Sequence, residues 1–82
     1  MNIYDFIQMI NDTSNIVFLI FDLDTGNRIY ISDDEDDTRT EFDSETLLDS
    51  KYADLEIGSM DMWMQDGKIY IEFNVETDED DF

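Results

Sequence analysis

Apolar residues recur along this chain with two different periods. In residues 2–11, Ile3, Phe6, Ile7 and Ile10 fall at i, i+3, i+4 and i+7, a single stripe on a helix. Asn2 stands where an N-cap is needed, and Asp5 takes the capping-box position three residues on, with the shorter acid. The turn formers Asn11-Asp12-Thr13-Ser14-Asn15 stop that helix. Ile16-Val17-Phe18-Leu19-Ile20-Phe21 is then a continuous apolar run. Its length and β-branching suit a central strand buried on both faces. Asp24-Thr25-Gly26-Asn27 predicts a turn. Arg28–Ser32 predicts a second strand, with Ile29 and Ile31 on one face and Arg28, Tyr30 and Ser32 on the other.

Asp33–Thr40 is a polar acidic loop by pattern. A short helix is expected from Asp43 to about Ser50, with Phe42 and Leu47 forming a hydrophobic staple around an Asp43 cap. Asp54–Met64 predicts a third strand with a fault in it. Leu55 and Ile57 alternate in one phase and Met60, Met62 and Met64 in the other, so a one-residue bulge is expected beside Gly58. Gln65-Asp66-Gly67 is a hairpin turn. Lys68–Glu76 is the clearest strand: Ile69, Ile71, Phe73 and Val75 face one way, and Lys68, Tyr70, Glu72, Asn74 and Glu76 the other. The order α-β-β-α-β-β predicts an α+β fold. Its expected architecture is an antiparallel four-stranded sheet of two hairpins, an N-terminal helix packed on one face and a short second helix. Residues 1–76 form a single domain in this reading, and residues 77–82 an acidic mobile tail.

Charge changes this picture. The 82 residues carry 23 Asp and Glu against 4 Lys and Arg, with no His, for a net charge of −19. Small domains ordinarily carry a magnitude of ~2–8. Direct binding to nucleic acid or to an anionic membrane is excluded, since both need Lys and Arg. Without Cys or His there is no disulfide, no Cys/His zinc site, no thiol nucleophile and no imidazole base. A hydrophobic share of 41 %, including 13 % aromatic residues, is core-forming material that disordered acidic segments lack. The first ten residues lack a basic signal-peptide region, and Ile16–Phe21 is too short to span a bilayer, so a cytoplasmic location is expected.

Carboxylates alone remain for chemistry, and no arrangement of them singles out a reaction. Asp22–Asn27 begins like a calcium loop, but its Gly stands at the fifth position instead of the sixth. No pair of acids is marked out for glycosidase-type work, and Ser has no partner base. The expectation is a protein that is not an enzyme and takes no metal or cofactor. The methionines at 60, 62 and 64 line one face of a strand; such a stripe can mark an adaptable binding surface, but packing under the N-terminal helix is the favoured expectation. Trp63 and Tyr70, on the opposite face, are interface anchors if exposed and core if covered.

The acids are unevenly placed. Residues 31–50 hold nine of them, Asp33, Asp34, Glu35, Asp36, Asp37, Glu41, Asp43, Glu45 and Asp49, against Arg39 alone. Self-repulsion at this charge works against compactness, so a function is the simpler account of its persistence. In extended chain, alternate side chains stand about 6–7 Å apart on one face. That is the order of phosphate spacing along a nucleic-acid strand, whose axial rise is ~3.4 Å per charge.

In size, charge, absence of Cys and Pro, and α/β pattern with acids in its loops, the chain resembles the small acidic proteins, many of them phage-encoded, that act as DNA mimics. That class includes anti-CRISPR proteins, anti-restriction proteins and uracil-DNA glycosylase inhibitors. The opening Met1-Asn2-Ile3-Tyr4-Asp5-Phe6-Ile7 is similar to the capped helix that opens some anti-CRISPRs of class 2 systems. The resemblance is one of type and carries over no site residues. It implies a non-enzymatic inhibitor that blocks the basic nucleic-acid site of a CRISPR effector, working in the host cytosol if phage-encoded. The alternatives are an inhibitor of another DNA-binding enzyme, or a cellular acidic adaptor for a basic protein. The residues expected to meet the partner are Asp33, Asp34, Glu35, Asp36, Asp37, Glu41, Asp43, Glu45, Trp63 and Tyr70.

Overall fold

The computed structural model describes residues 1–29 and 40–76. The elements run α1 (Ile3–Gln8), β1 (Ile16–Asp22), β2 (Asn27–Arg28), α2 (Ser44–Leu48), a 3-10 turn (Lys51–Asp54), β3 (Ser59–Gln65) and β4 (Lys68–Val75). Asn2 caps α1 by accepting the Asp5 N–H at 2.8 Å, and Asp43 caps α2 by accepting the Thr46 N–H at 2.7 Å. Both caps were legible in the sequence. So was the turn joining β3 to β4. There Asp66 and Gly67 both take positive φ, 54° and 78°, the backbone that a two-residue hairpin of right-handed twist requires.

The four strands form one sheet in the order β2-β1-β4-β3. Each hairpin is antiparallel, as expected, but the sheet is mixed. β1 pairs in parallel with β4, from Ile16 opposite Ile69 through Asp22 opposite Val75. The all-antiparallel arrangement is therefore corrected. The two most apolar strands take the two central places, where both of their edges are paired, and the connection through α2 and the 3-10 turn brings the chain back to run the same way.

Ile3 and Ile7 of α1, Leu47 of α2, Phe42 and Leu55 pack with Phe18, Ile20, Ile71, Phe73 and Val75 in one buried cluster on one face of the sheet. Phe73 is its centre. Its ring stacks on Phe18 at 5.8 Å between centroids, and Phe6 meets it edge-on at 5.5 Å. Fully burying such a side chain contributes about 1.5–3 kcal/mol. Phe42 and Leu47, the expected staple, are both in this cluster.

Two readings near β3 need revision. Leu55 and Ile57 are not in the strand. They follow the 3-10 turn and bond to the N-terminus instead, Ile3 N–H to the Leu55 carbonyl and Ile57 N–H to the Met1 carbonyl, both at 3.0 Å. The one-residue shift itself sits where the sequence puts it. Ser59 lies opposite Asn74, and the Gly58 N–H also donates to the Asn74 carbonyl at 2.9 Å, so two successive residues address one partner. A Cβ at Gly58 would come 3.1 Å from that carbonyl.

The methionines are the second revision. The register places Met60, Met62 and Met64 on the same face as Phe73, Ile71 and Ile69, the face that α1 covers. They are nevertheless 39 %, 63 % and 77 % exposed. A helix of six residues is only about 9 Å long, and it covers the two central strands without reaching the edge. No helix among the described residues is long and apolar enough to cross a membrane.

Candidate functional site

The described residues that flank the acidic stretch are bonded along one edge of β1. Along that edge β2 pairs first, Asn27 with Asp22 and Arg28 with Phe21, and Ile29 N–H then reaches the Ile20 carbonyl at 2.9 Å. Two residues further along β1, the partner is Phe42. Its N–H donates to the Phe18 carbonyl at 2.7 Å, and the Phe18 N–H donates back at 2.9 Å. A second strand running unbroken through Ser32 would have put Ile31 opposite Phe18. Phe42 holds that place, so the expected Arg28–Ser32 strand is shorter, and its residues 30–32 lie outside the described ones. The chain thus leaves and rejoins the edge of β1 at points two residues, about 6–7 Å, apart.

Of the expected partner-binding acids, Asp33, Asp34, Glu35, Asp36 and Asp37 lie outside the described residues, as does the expected tail 77–82. Glu41, Asp43 and Glu45 are exposed, and all stand next to the Phe42 anchor or in the first turn of α2. Thr46, through its side chain and then its backbone N–H, holds the Asp43 carboxyl below the ordinary carboxylate range. Asp43 is therefore a fixed charge. The start of α2 is also tied to the turn before β1, through a 2.8 Å hydrogen bond between the Thr13 and Ser44 hydroxyls. Asp12 in that turn is likewise held below the ordinary range by Ser14, whose N–H donates to it at 2.9 Å. Between the turn and the Phe42 segment runs an open groove of about 280 Å³, lined by Ser14, Val17, Glu41, Asp43 and Lys68 among others.

Trp63 and Tyr70 come from the hairpin of β3 and β4. They stand opposite one another on β3 and β4, half-buried, with rings stacked at 5.6 Å and 11°. Their face of the sheet is the one away from α1 and α2. It carries Trp63, Tyr70 and Val17 in one row, then Asp61, Glu72 and Leu19, then Ser59, Asn74, Phe21 and Arg28. Arg28 Nε reaches Glu72 Oε2 at 2.6 Å, holding a nearly buried carboxylate near the middle of the sheet. Asn74 Nδ2 donates to Ser59 Oγ at 3.1 Å and to Asp61 Oδ2 at 3.2 Å. The anchors are thus neither fully covered nor free, and Val17, which lines the groove with Asp43, stands beside Tyr70 in the same row.

Arg28 and Glu72 were not singled out by sequence reasoning as a pair. Their alternation with apolar neighbours places each on the polar face, but only the sheet order brings them together. Asp22 is the other buried carboxylate, and its Oδ1 accepts the Asp24 N–H at 2.9 Å. Among the described residues no group of three acids is gathered as a metal site. Compared with protein-family models, with characterised proteins and with solved structures, the chain matches none.

Proposed function

We propose that this protein is a non-enzymatic inhibitor, a nucleic-acid mimic that occupies the basic nucleic-acid-binding site of a CRISPR effector complex. The observation that supports the reading is that the described residues on either side of the acidic stretch are bonded to β1. The part of the chain containing Asp33–Asp37 departs from Ile29 and returns at Phe42, and both are hydrogen-bonded to β1. Asp43 and Glu45 continue the same charge into a capped helix. An oriented charge such as the capping Asp43 loses less entropy on binding than a mobile one. Each close pair with a target Lys or Arg adds on the order of 1.5 kcal/mol or more if desolvated, and less at a wet rim. The net charge of −19 accelerates encounter with a basic channel and repels nucleic acid itself.

The test is a five-charge variant, Asp33→Asn, Asp34→Asn, Glu35→Gln, Asp36→Asn and Asp37→Asn. DNA binding is measured for a guide-loaded class 2 CRISPR effector, a restriction enzyme and a uracil-DNA glycosylase. The wild-type protein should block the effector, less so as salt rises, and the variant should lose most of that inhibition while staying folded. Inhibition of one of the other enzymes alone would redirect the target. Inhibition that survives the five substitutions unchanged would refute the mimicry.

A further inference from the structure

β3 is the edge of the sheet. Among the described residues nothing pairs with its outer side. It is seven residues long and straight in register from Ser59 to Gln65. Its protection against pairing is light: it has no Pro and no Lys, Asp61 is its one charged side chain, and its bulge, at Gly58 and Ser59, is confined to its start. The two-residue turn closes on a hydrogen-bonded pair, Gln65 with Lys68, so the pairs at Trp63, Asp61 and Ser59 also bond inward to β4. The outward N–H and C=O groups therefore belong to Met60, Met62 and Met64. Those same residues carry the exposed apolar side chains of the strand, and methionine adapts its shape to what it meets.

We propose that the outer edge of β3 accepts an extended, basic segment of the partner protein as a fifth strand, antiparallel or parallel to β3. Charge decides the occupant. A second copy of this chain would bring a further −19 to the edge, whereas a strand alternating Lys or Arg with apolar residues is attracted to it. The apolar residues of that strand would lie on Met60, Met62 and Met64. Its basic residues would lie on the other face, beside Asp61. Backbone hydrogen bonds give such an addition its affinity, and alternate side chains its specificity. The net charge then explains how an edge left unpaired among the described residues is tolerated: it suppresses self-pairing without closing the edge to a basic chain. The inference rests on the reading of a basic partner but not on which acids that partner grips.

The probe is a synthetic peptide alternating Val with Lys, together with the same peptide N-methylated at alternate residues. The two have equal charge, and only the first can complete a ladder. The first should slow amide exchange at Met60, Met62 and Met64 by about tenfold or more and leave α1 unchanged. The methylated peptide should bind at least about tenfold more weakly. Met62→Lys, and independently Met62→Pro, should weaken the first peptide to the level of the second, since Pro is tolerated where an N–H points outward from an edge. Equal binding of the two peptides would overturn the proposal, leaving charge as the whole interaction. Protection of those three amides in the free protein, with sedimentation as a dimer, would overturn it in favour of a second copy. The five-charge variant keeps the two questions apart: loss of effector inhibition there, with the ladder effect retained, leaves the strand addition standing.

Discussion

The two faces of the sheet solve different problems. The centre of the face under α1 and α2 is apolar and sealed: Phe18, Ile20, Phe73 and Val75 are all without solvent contact, and the methionines of β3 at its edge stay exposed. The opposite face sets matched pairs around a buried Leu19: Trp63 on Tyr70, Arg28 with Glu72, and Asn74 with Ser59 and Asp61. On the first face stability comes from area removed from water. On the second it comes from partners that satisfy one another, so any one substitution leaves a group unmatched. The contrast teaches that a chain of this charge concentrates most of its hydrophobic work on one side of the sheet.

That contrast can be broken most severely at Phe73. Phe73→Ala should cost about 3–5 kcal/mol, enough to unfold much of the population, as read by denaturant titration. Trp63→Ala on the other face should cost only about 1–2 kcal/mol, for part of the ring area and the stacking on Tyr70. Equal losses at the two sites would mean the open face is a second core.

The ion pair sharpens the comparison. Arg28→Met keeps the stem that lies over the sheet but removes the partner of a carboxylate whose side chain is only 11 % exposed. A loss of about 1–3 kcal/mol is expected. Glu72→Gln in the same background should recover part of it, because the unpartnered charge is gone. A double-mutant cycle with no coupling between positions 28 and 72 would show that the contact contributes nothing.

The smallest effect belongs to the cap of α2, on the edge between the two faces. Asp43→Ala should cost ~1 kcal/mol. Because Thr46 depresses the Asp43 pKa, the stability linked to its ionisation is whole above the ordinary carboxylate range. It drains away as pH falls through the depressed value. Asp43→Asn keeps an acceptor that does not titrate. The gap between wild type and Asp43→Asn should therefore be constant at neutral pH and narrow only in acid, followed by thermal melts at a series of pH values. A gap that changed around neutrality would assign the effect to another group.

What was legible in the sequence was local. Asn2 and Asp43 announce their helices because a cap is a short-range hydrogen bond, and Asp66-Gly67 announces its turn because few residues adopt positive φ. The parallel pairing of β1 with β4 was not legible: Ile16–Phe21 is apolar at every position, so its pattern suits a central strand in either direction. The turn at Lys51–Asp54 has no period to read. Alternation correctly placed Met60, Met62 and Met64 on the helix face but cannot say how far a helix reaches, so their exposure was missed. For the candidate site, the sequence picked out Glu41, Asp43 and Glu45, and the structure adds that Phe42 fixes them to β1. It also sets Val17, the neighbour of Tyr70, in the groove beside Asp43, a relation that alternation alone could not show.

The parallel pairing also bears on how the chain reaches its native state. Ile16 pairs with Ile69, and every later pair of β1 and β4 keeps that separation, so closing the central ladder encloses more than half of the sequence. Each hairpin can form early, but neither has a sheet to join until the other exists, and Phe73 has no Phe18 to stack on. Such non-local closure slows folding relative to a protein of local contacts. On the ribosome the first hairpin waits, its apolar strand unpaired on one edge, until almost the whole domain has been made. During that interval the heavy negative charge of the intervening stretch keeps nascent chains apart.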